Sequence, residues 1–178
     1  SVKLDAQLEL FLELRTMTER AVMWLLRHRK APIDIAAAVA EFKSGIGTLS
    51  LGLEAQLRGP MREQAFALEA GRLAANVPEA LAQRSVLWPL LHTGFDVVDL
   101  AERTKQPLHS VAGVYWEVFE QLDLGWLWEA IGRLPRSNRW QTQARSALRD
   151  DLLAALADLA EDAIIAGSVA DWMANSER

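Results

Sequence analysis

Histidine and cysteine, the side chains that most often act as general bases, nucleophiles and zinc ligands, are rare or absent in this sequence. The histidines are His28, His92 and His109, and no two of them have the four-residue spacing that holds zinc on one side of a helix. The chain has no cysteine, which excludes a thiolate nucleophile, a zinc–thiolate site and a disulfide framework. We expect a structural role for His28, which falls on the apolar face of the first predicted helix.

Acidic residues offer another route to acid–base or metal chemistry. Asp150 and Asp151 are neighbours on a predicted helix, where adjacent side chains point about 100° apart, so they do not share a site. Asp158, Glu161 and Asp162 lie on one side of that helix because they are three and four residues apart. We interpret them as a solvated acidic face, since the Glu-x-x-His pair of di-iron bundles is absent. The sequence therefore predicts no catalytic residue and no bound metal.

The glycines do not have the spacing of a phosphate-binding loop. Gly45-Ile46-Gly47 is the only Gly-x-Gly, and it lacks the preceding strand and the third glycine that dinucleotide-binding folds use. A Gly-x-Ser-x-Gly nucleophile motif is also absent. We therefore expect no cofactor in this chain.

Tryptophan is unusually frequent, with seven in 178 residues. Four of them fall close together: Trp116, Trp126, Trp128 and Trp140. Tryptophan fills helical cores and is also enriched at the hot spots of interfaces. We predict a core role, with a docking surface as the alternative. Trp140 in particular is predicted to be mostly buried against Trp126, Trp128 and the helix at 108–122.

Trp140 stands in the first turn of the last long predicted helix. Ser137 or Asn138 is expected to cap this helix by accepting hydrogen bonds from its free amides. Arg139 is expected to point outward or toward an acidic partner. Together with Asp150, Asp151 and the four tryptophans named above, Arg139 completes our set of structural or interface candidates.

The elements that position these residues are predicted to be helices. The sequence has 28 Ala and 28 Leu but only 23 Val, Ile and Thr together, and Ala and Leu favour helices. We predict an all-α, multi-helix bundle with a long C-terminal helix and a helix-turn-helix-like middle section. The predicted helices cover residues 4–28, 33–42, 49–57, 60–75, 78–88, 96–105, 108–122, 126–134, 140–166 and 169–174, with Pro32 ending the first and Gly45 and Gly47 breaking the second.

Two of these helices carry apolar faces that we expect to pack inward. The first face consists of Leu4, Leu8, Phe11, Leu12, Ala21, Trp24, Leu25 and His28. The second, on the last long helix, consists of Trp140, Ala144, Ala147, Leu148, Leu152, Ala155, Leu156, Leu159, Ala163 and Ile164.

Length, charge and hydropathy bound the class of protein. At 178 residues a single domain is expected, with a subdivision near 91–94 as the alternative. The net charge of −5 argues against broad attraction to nucleic acid or anionic membrane, and no apolar stretch is long enough to span a bilayer. Without an initiator Met or a signal peptide, the chain is expected to be processed or cut from a longer one, in the cytoplasm.

Residues 95–121 have the pattern of a helix-turn-helix. A DNA-reading helix needs Arg, Lys, Asn or Gln along its length to reach phosphates and base edges. The second helix here offers Glu117 and Glu120 and has no Arg or Lys. We therefore favour a packed helical hairpin, and a free-standing interaction or DNA-binding regulator is the alternative.

Three blocks of the sequence resemble a known family. They are residues 20–29 (RAVMWLLRHR), then 96–101 (DVVDLA) with 111–115 (VAGVY), and then 134–145 (LPRSNRWQTQAR) with 147–152 (ALRDDL). In this order they resemble the C-terminal helical domain of the large bacterial NAD-specific glutamate dehydrogenases. The resemblance covers roughly residues 20–166, which is most of the chain.

The resemblance implies that the chain is a C-terminal part of a long enzyme. That enzyme would convert L-glutamate and NAD to 2-oxoglutarate, ammonia and NADH, and its catalytic and NAD-binding motifs would lie in a core outside this chain. No catalytic residue is carried over to any position here. The resemblance implies a non-catalytic role, in which this domain packs on the catalytic core or on a neighbouring subunit of a homo-oligomer. Nucleic acid and membrane are not expected as partners.

Overall fold

The computed structural model describes residues 2–29, 32–56, 59–85 and 93–176. Every regular element in these ranges is a helix, so the predicted all-α class is confirmed. The helices are α1 (Leu4–His28), α2 (Ile35–Gln56), α3 (Gly59–Ala74), α4 (Glu79–Ser85), α5 (Gly94–Thr104), α6 (Leu108–Gln121), α7 (Gly125–Arg133), α8 (Arg139–Ala166) and α9 (Val169–Ser176). The helix predicted at 78–88 corresponds to α4, and residues 86–88 lie outside the described residues.

The predicted break in the second helix is wrong, because α2 runs through both Gly45 and Gly47. A Cβ atom added to Gly45 would lie 2.5 Å from Cγ2 of Val98. Glycine therefore stands at position 45 because α5 approaches α2 closely there. Gly47 has nothing within 4 Å of such an added Cβ, so its place inside the helix is not explained by packing.

Residues in left-handed backbone conformation end some of the other helices. Asn76, just after α3, has a φ of 59°, and Gly167, just after α8, has a φ of 95°. Asparagine and glycine tolerate this conformation best, and it turns the chain out of the helix. These stops agree with the predicted ends at both positions.

The chain divides into two compact units, Ser1–Val98 and Asp99–Arg178, and the division falls inside α5. A single domain stays a prediction, and the alternative subdivision near 91–94 lies partly outside the described residues. In the first unit, α1 packs one side into a core formed by Ala6, Leu10, Val77 and Ala82. No helix in the described ranges is long and apolar enough to cross a membrane.

The apolar face predicted to point inward on α1 is reversed in its first half. Ala6 and Leu10 are buried, whereas Leu4, Leu8 and Phe11 lie on the opposite side of the helix and are exposed. The reason is that α1 is apolar on two sides, and periodicity alone does not say which side meets the core. Farther along the helix, Ala21, Trp24 and Leu25 are half-buried.

The second unit is organised around α8, on which α6, α7 and α9 pack. The buried side chains of α8 all belong to its second half: Leu153, Leu156, Ala157, Ala160 and Ala163. The predicted inward stripe is therefore wrong at Trp140, Ala144, Leu148 and Ala155, which are exposed. The two predicted helix-turn-helix helices exist as α5 and α6, and α6 buries Val111, Ala112, Tyr115, Trp116, Val118 and Phe119.

Candidate functional site

An apolar row on α1 faces solvent. Leu4, Leu8 and Phe11 are 78%, 56% and 62% exposed. The same side of α1 then carries an exposed salt bridge, in which Nε of Arg15 lies 2.8 Å from Oε1 of Glu19. Beyond this salt bridge the apolar row continues with the exposed Val22 and Leu26. We call Leu4, Leu8, Phe11, Val22 and Leu26 the α1 outer row. Since the opposite side of α1 already packs into the core, this row is available to a partner.

In the second unit, Trp140 in the first turn of α8 is 77% exposed. The predicted burial of Trp140 against Trp126 and Trp128 is therefore wrong. The physical reason is the rotation of α8. Arg149 is turned to α7, where its guanidinium lies 4.5 Å from the ring centroid of Trp128. Residues nine positions apart lie on opposite sides of a helix, so Trp140 faces away from α7.

The start of α8 is held in place by local hydrogen bonds. Oδ1 of Asn138 accepts from the backbone N–H of Gln141 at 3.0 Å, so the predicted cap is confirmed with Asn138 as the capping residue. The side chain of Gln141 in turn accepts from the backbone N–H of Ser137 at 2.9 Å. These reciprocal contacts fix the loop and the first turn together, and so fix the direction of Trp140 and Arg139.

The segment around Trp140 is strongly basic although the whole chain is acidic. Residues 130–149 contain five arginines and no acidic residue. Arg136 and Arg139 are exposed, as predicted for Arg139. Burial, and then the positive charge of Arg136, lower the pKa of Arg145 below its usual value. Arg136 and Arg145 therefore lie near each other at the beginning of α8.

The second half of α8 presents acidic groups on the side of the helix where Trp140 lies. Asp151, Asp158 and Asp162 are exposed, while Asp150 is half-buried. Asp150 and Asp151 do not come together in a site. Over the described part of the chain, no group of three His, Asp or Glu side chains could hold a metal ion.

The four clustered tryptophans separate into two pairs. Trp116 and Trp128 are buried, and the ring of Trp116 makes edge contacts with Tyr115 and Phe119. Trp126 is 63% exposed and Trp140 is more so. The core prediction therefore holds for Trp116 and Trp128, and the docking alternative fits Trp126 and Trp140.

Arg103 joins α5 to α8 within the second unit. Its Nε lies 3.0 Å from Oδ2 of Asp99, and its Nη1 contacts Oε2 of Glu161. Burial lowers the pKa of Arg103, but hydrogen bonding and attraction from Glu161 and Asp99 outweigh burial and raise it above its usual value. Sequence reasoning did not identify Arg103, because Glu161 is too far along the chain for any spacing rule to connect them.

In the first unit, Trp24 is the centre of an aromatic group. Its Nε1–H donates to Oδ1 of the buried Asp96 at 2.6 Å. His28 stacks on the Trp24 ring with centroids 4.6 Å apart, but the residue is exposed, so its predicted place on an inward face is wrong. The group also includes Phe42 and Phe95. Nothing in this arrangement resembles acid–base machinery. What the described residues offer is the α1 outer row and, in the second unit, the exposed rings of Trp126 and Trp140.

Comparison with known proteins identifies a family. The family model described as "Glutamate dehydrogenase, C-terminal" matches residues 1–177. The chain is 39% identical over 151 residues to an NAD-specific glutamate dehydrogenase of Pseudomonas aeruginosa, covering 85% of this chain and 9% of the relative. It is 29% identical over 171 residues to an NAD-specific glutamate dehydrogenase of Mycobacterium tuberculosis, which covers 92% of this chain and 10% of the relative. It is also 29% identical over 148 residues to one of Halomonas elongata, which covers 83% of this chain and 9% of the relative. The matched part is thus about a tenth of each relative.

Proposed function

From the premise that this chain belongs to the glutamate dehydrogenase C-terminal family, we propose that it is a non-catalytic docking domain of a longer NAD-specific glutamate dehydrogenase. Its role is to pack on the catalytic core of that enzyme or on a neighbouring subunit, and so to support assembly. The enzyme would oxidise L-glutamate to 2-oxoglutarate with NAD as hydride acceptor. A cytoplasmic location is part of the same proposal.

The α1 outer row is the observation that carries this proposal. A helix that is apolar on both sides normally lies between two packed surfaces. Here Ala6 and Leu10 supply one packed side, and Leu4, Leu8 and Phe11 leave the other side open to water. Contiguous exposed apolar side chains of this kind mark protein interaction sites in soluble proteins. The remaining nine-tenths of an enzyme as long as the relatives would supply the surface that covers them.

NAD itself does not fit the residues described here. The Gly45-Ile46-Gly47 segment lies inside α2, with Gly45 against Val98, so its backbone amides are not turned toward a pyrophosphate. No strand–loop–helix unit occurs in the described ranges. The proposal therefore places NAD in the rest of the enzyme and derives no catalytic step from this chain.

The test is to divide the enzyme. The parent polypeptide is produced without the segment that corresponds to this chain, and the 178-residue chain is then added back as a separate protein. The proposal expects the truncated enzyme to lose assembly, measured by sedimentation, and the added chain to restore it. A truncated enzyme that assembles and turns over glutamate like the intact one would contradict the proposal.

A further inference from the structure

We propose that the segment of the parent enzyme that covers the α1 outer row carries a carboxylate, with apolar side chains on both sides of it, and that this carboxylate binds the guanidinium of Arg15. This inference rests on the proposed docking function and deepens it, because it states the chemistry of the partner. It also makes Arg15 the residue that fixes where along α1 the partner lies.

Arg15 lies at the middle of the α1 outer row, both along the helix and around it. Leu4 and Leu26 are each eleven residues from Arg15 in the sequence. Leu8 and Val22 are each seven residues from it. Positions seven or eleven residues apart on an α-helix point within about 20° of each other. The row is therefore apolar on both sides of one central cation, and a surface that covers the whole row also covers Arg15.

The guanidinium of Arg15 is oriented by Glu19 and still has donors to offer. Its Nε–H donates to Oε1 of Glu19, one turn farther along α1, at 2.8 Å. Its terminal nitrogens, Nη1 and Nη2, make no hydrogen bond to any residue that the structure describes. The side chains of Arg15 and Glu19 are 64% and 61% exposed, so solvent satisfies these donors in the isolated chain.

Covering the row takes the terminal nitrogens of Arg15 out of water. A buried donor without an acceptor costs free energy, and a charged donor costs more than a neutral one. Glu19 accepts only from Nε, so the covering segment has to supply acceptors for Nη1 and Nη2. A carboxylate fits this position best, since its two oxygens match two parallel N–H groups of a guanidinium.

The shape of the row indicates the form of the covering segment. From Leu4 to Leu26 the row extends about 33 Å, at 1.5 Å per residue, and it occupies a strip only about 80° wide around the helix. An amphipathic helix of similar length fits a strip this long and narrow. The matched part is only about a tenth of each relative, so the rest of an enzyme of that length can supply such a helix.

The affinity test replaces the central salt bridge by apolar side chains. Arg15→Leu with Glu19→Leu makes the row apolar throughout, and isothermal titration calorimetry measures binding of the variant to the parent enzyme that lacks this chain. A carboxylate facing position 15 would then be buried without a partner, so the affinity is expected to fall at least tenfold. Against an apolar surface, the same change would leave the affinity unchanged or raise it, because packed apolar side chains often replace a buried ion pair without loss. An unchanged or raised affinity therefore overturns this inference.

The chain offers a matched control in the second unit. Arg133 and Glu129 on α7 form another exposed ion pair with a spacing of four residues, with 2.7 Å between Nη2 and Oε2. Glu129→Leu with Arg133→Leu should change the affinity less than about twofold, since surface substitutions away from an interface are near neutral. Far-UV circular dichroism confirms that each variant is folded.

A zero-length cross-link identifies the carboxylate directly. Arg15→Lys keeps the positive charge and supplies an amine, and Glu19→Gln prevents a link within α1. A water-soluble carbodiimide joins this amine to a neighbouring carboxylate as an amide and takes up the water that is released. Mass spectrometry of the complex is expected to show a link from position 15 to one Asp or Glu of the parent enzyme, with apolar residues on both sides of that acid. A complex without such a link overturns this inference.

These results separate the inference from the proposed function. Leu8→Glu with Phe11→Glu is expected to weaken binding whichever group faces Arg15, because both changes place charge in the apolar part of the row. A chain that is sensitive to this change but insensitive to the double leucine change contradicts only the inference about Arg15. An unchanged chain that does not bind the truncated enzyme contradicts the proposed function itself.

Discussion

The guanidinium of Arg149 on α8 lies over the ring of Trp128 on α7, with 4.5 Å between its central carbon and the ring centroid. This contact lies on the side of α8 that faces α7, and the buried residues Leu153, Leu156 and Ala157 lie on neighbouring positions of the helix surface. Trp140, nine residues before Arg149, lies on the opposite side and faces solvent.

Trp128→Ala is expected to destabilise the second unit by about 3–5 kcal/mol, as for other large buried aromatic side chains. The same change at the exposed Trp126 or Trp140 should cost less than about 1 kcal/mol, the range of surface substitutions. Urea unfolding followed by far-UV circular dichroism measures the three differences. A loss at Trp140 as large as that at Trp128 would mean that Trp140 is packed within the chain.

Gly45→Ala and Gly47→Ala should change stability in opposite directions. The added methyl at position 45 would overlap Val98, so this variant is expected to lose about 1–3 kcal/mol, the range for overpacked sites. At position 47 the methyl meets open space, and alanine should stabilise the helix by about 0.5–1 kcal/mol. Thermal unfolding of the two variants side by side checks the sign, and two shifts of the same sign would contradict the close contact between α2 and Val98.

The ion pair between Arg103 and Glu161 should be stronger than an ordinary surface pair. A double-mutant cycle with Arg103→Ala and Glu161→Ala is expected to give a coupling energy of about 1 kcal/mol, the upper end of the range for exposed ion pairs. Asp99 also binds Arg103, and so keeps the coupling with Glu161 from exceeding that range. In the Arg15–Glu19 pair on α1 both side chains are exposed, and the same kind of cycle should give a coupling energy of about 0.3 kcal/mol. Equal coupling for the two pairs would show that Arg103 does not tie α5 to α8.

Trp24→Phe tests the hydrogen bond to Asp96. Phenylalanine keeps most of the aromatic packing with Phe42 and Phe95 but removes the indole donor, so the buried carboxylate loses a partner. The expected cost is about 1–3 kcal/mol, measured by urea unfolding. Trp126→Phe, at an exposed position, is the control and should be nearly neutral. A cost for Trp24→Phe as small as for this control would show that the hydrogen bond contributes nothing to stability.

Sequence reasoning predicted the helices well where local chemistry defines their ends. Pro32, Asn76, Asn138 and Gly167 each stop or start a helix through their own backbone or side-chain preferences, and these boundaries agree with the structure. It failed at Gly45, because a helix tolerates an interior glycine when a neighbouring helix needs the space. Nothing local to that glycine reveals the presence of Val98.

The candidate site was predicted only in part for a related reason. Periodicity identified the apolar rows of α1 and α8, yet it could not tell an inward row from an outward one. On α1 the small Ala6 and the single Leu10 take the core, and the larger row that includes Phe11 is left outside. On α8, Arg149 faces Trp128 and Trp140 lies on the opposite, exposed side of the helix, which depends on how the two helices pack.

The most direct test of the docking role is the affinity of the 178-residue chain for the parent enzyme that lacks it. Isothermal titration calorimetry should detect binding of the unchanged chain. Leu8→Glu with Phe11→Glu, in the α1 outer row, should weaken it at least tenfold, while Ile35→Glu, an equally exposed apolar position on α2, should change it by less than about twofold, since scattered surface substitutions are near neutral. Equal affinity for the unchanged chain and the folded double variant would contradict the claim that the α1 outer row is the docking surface.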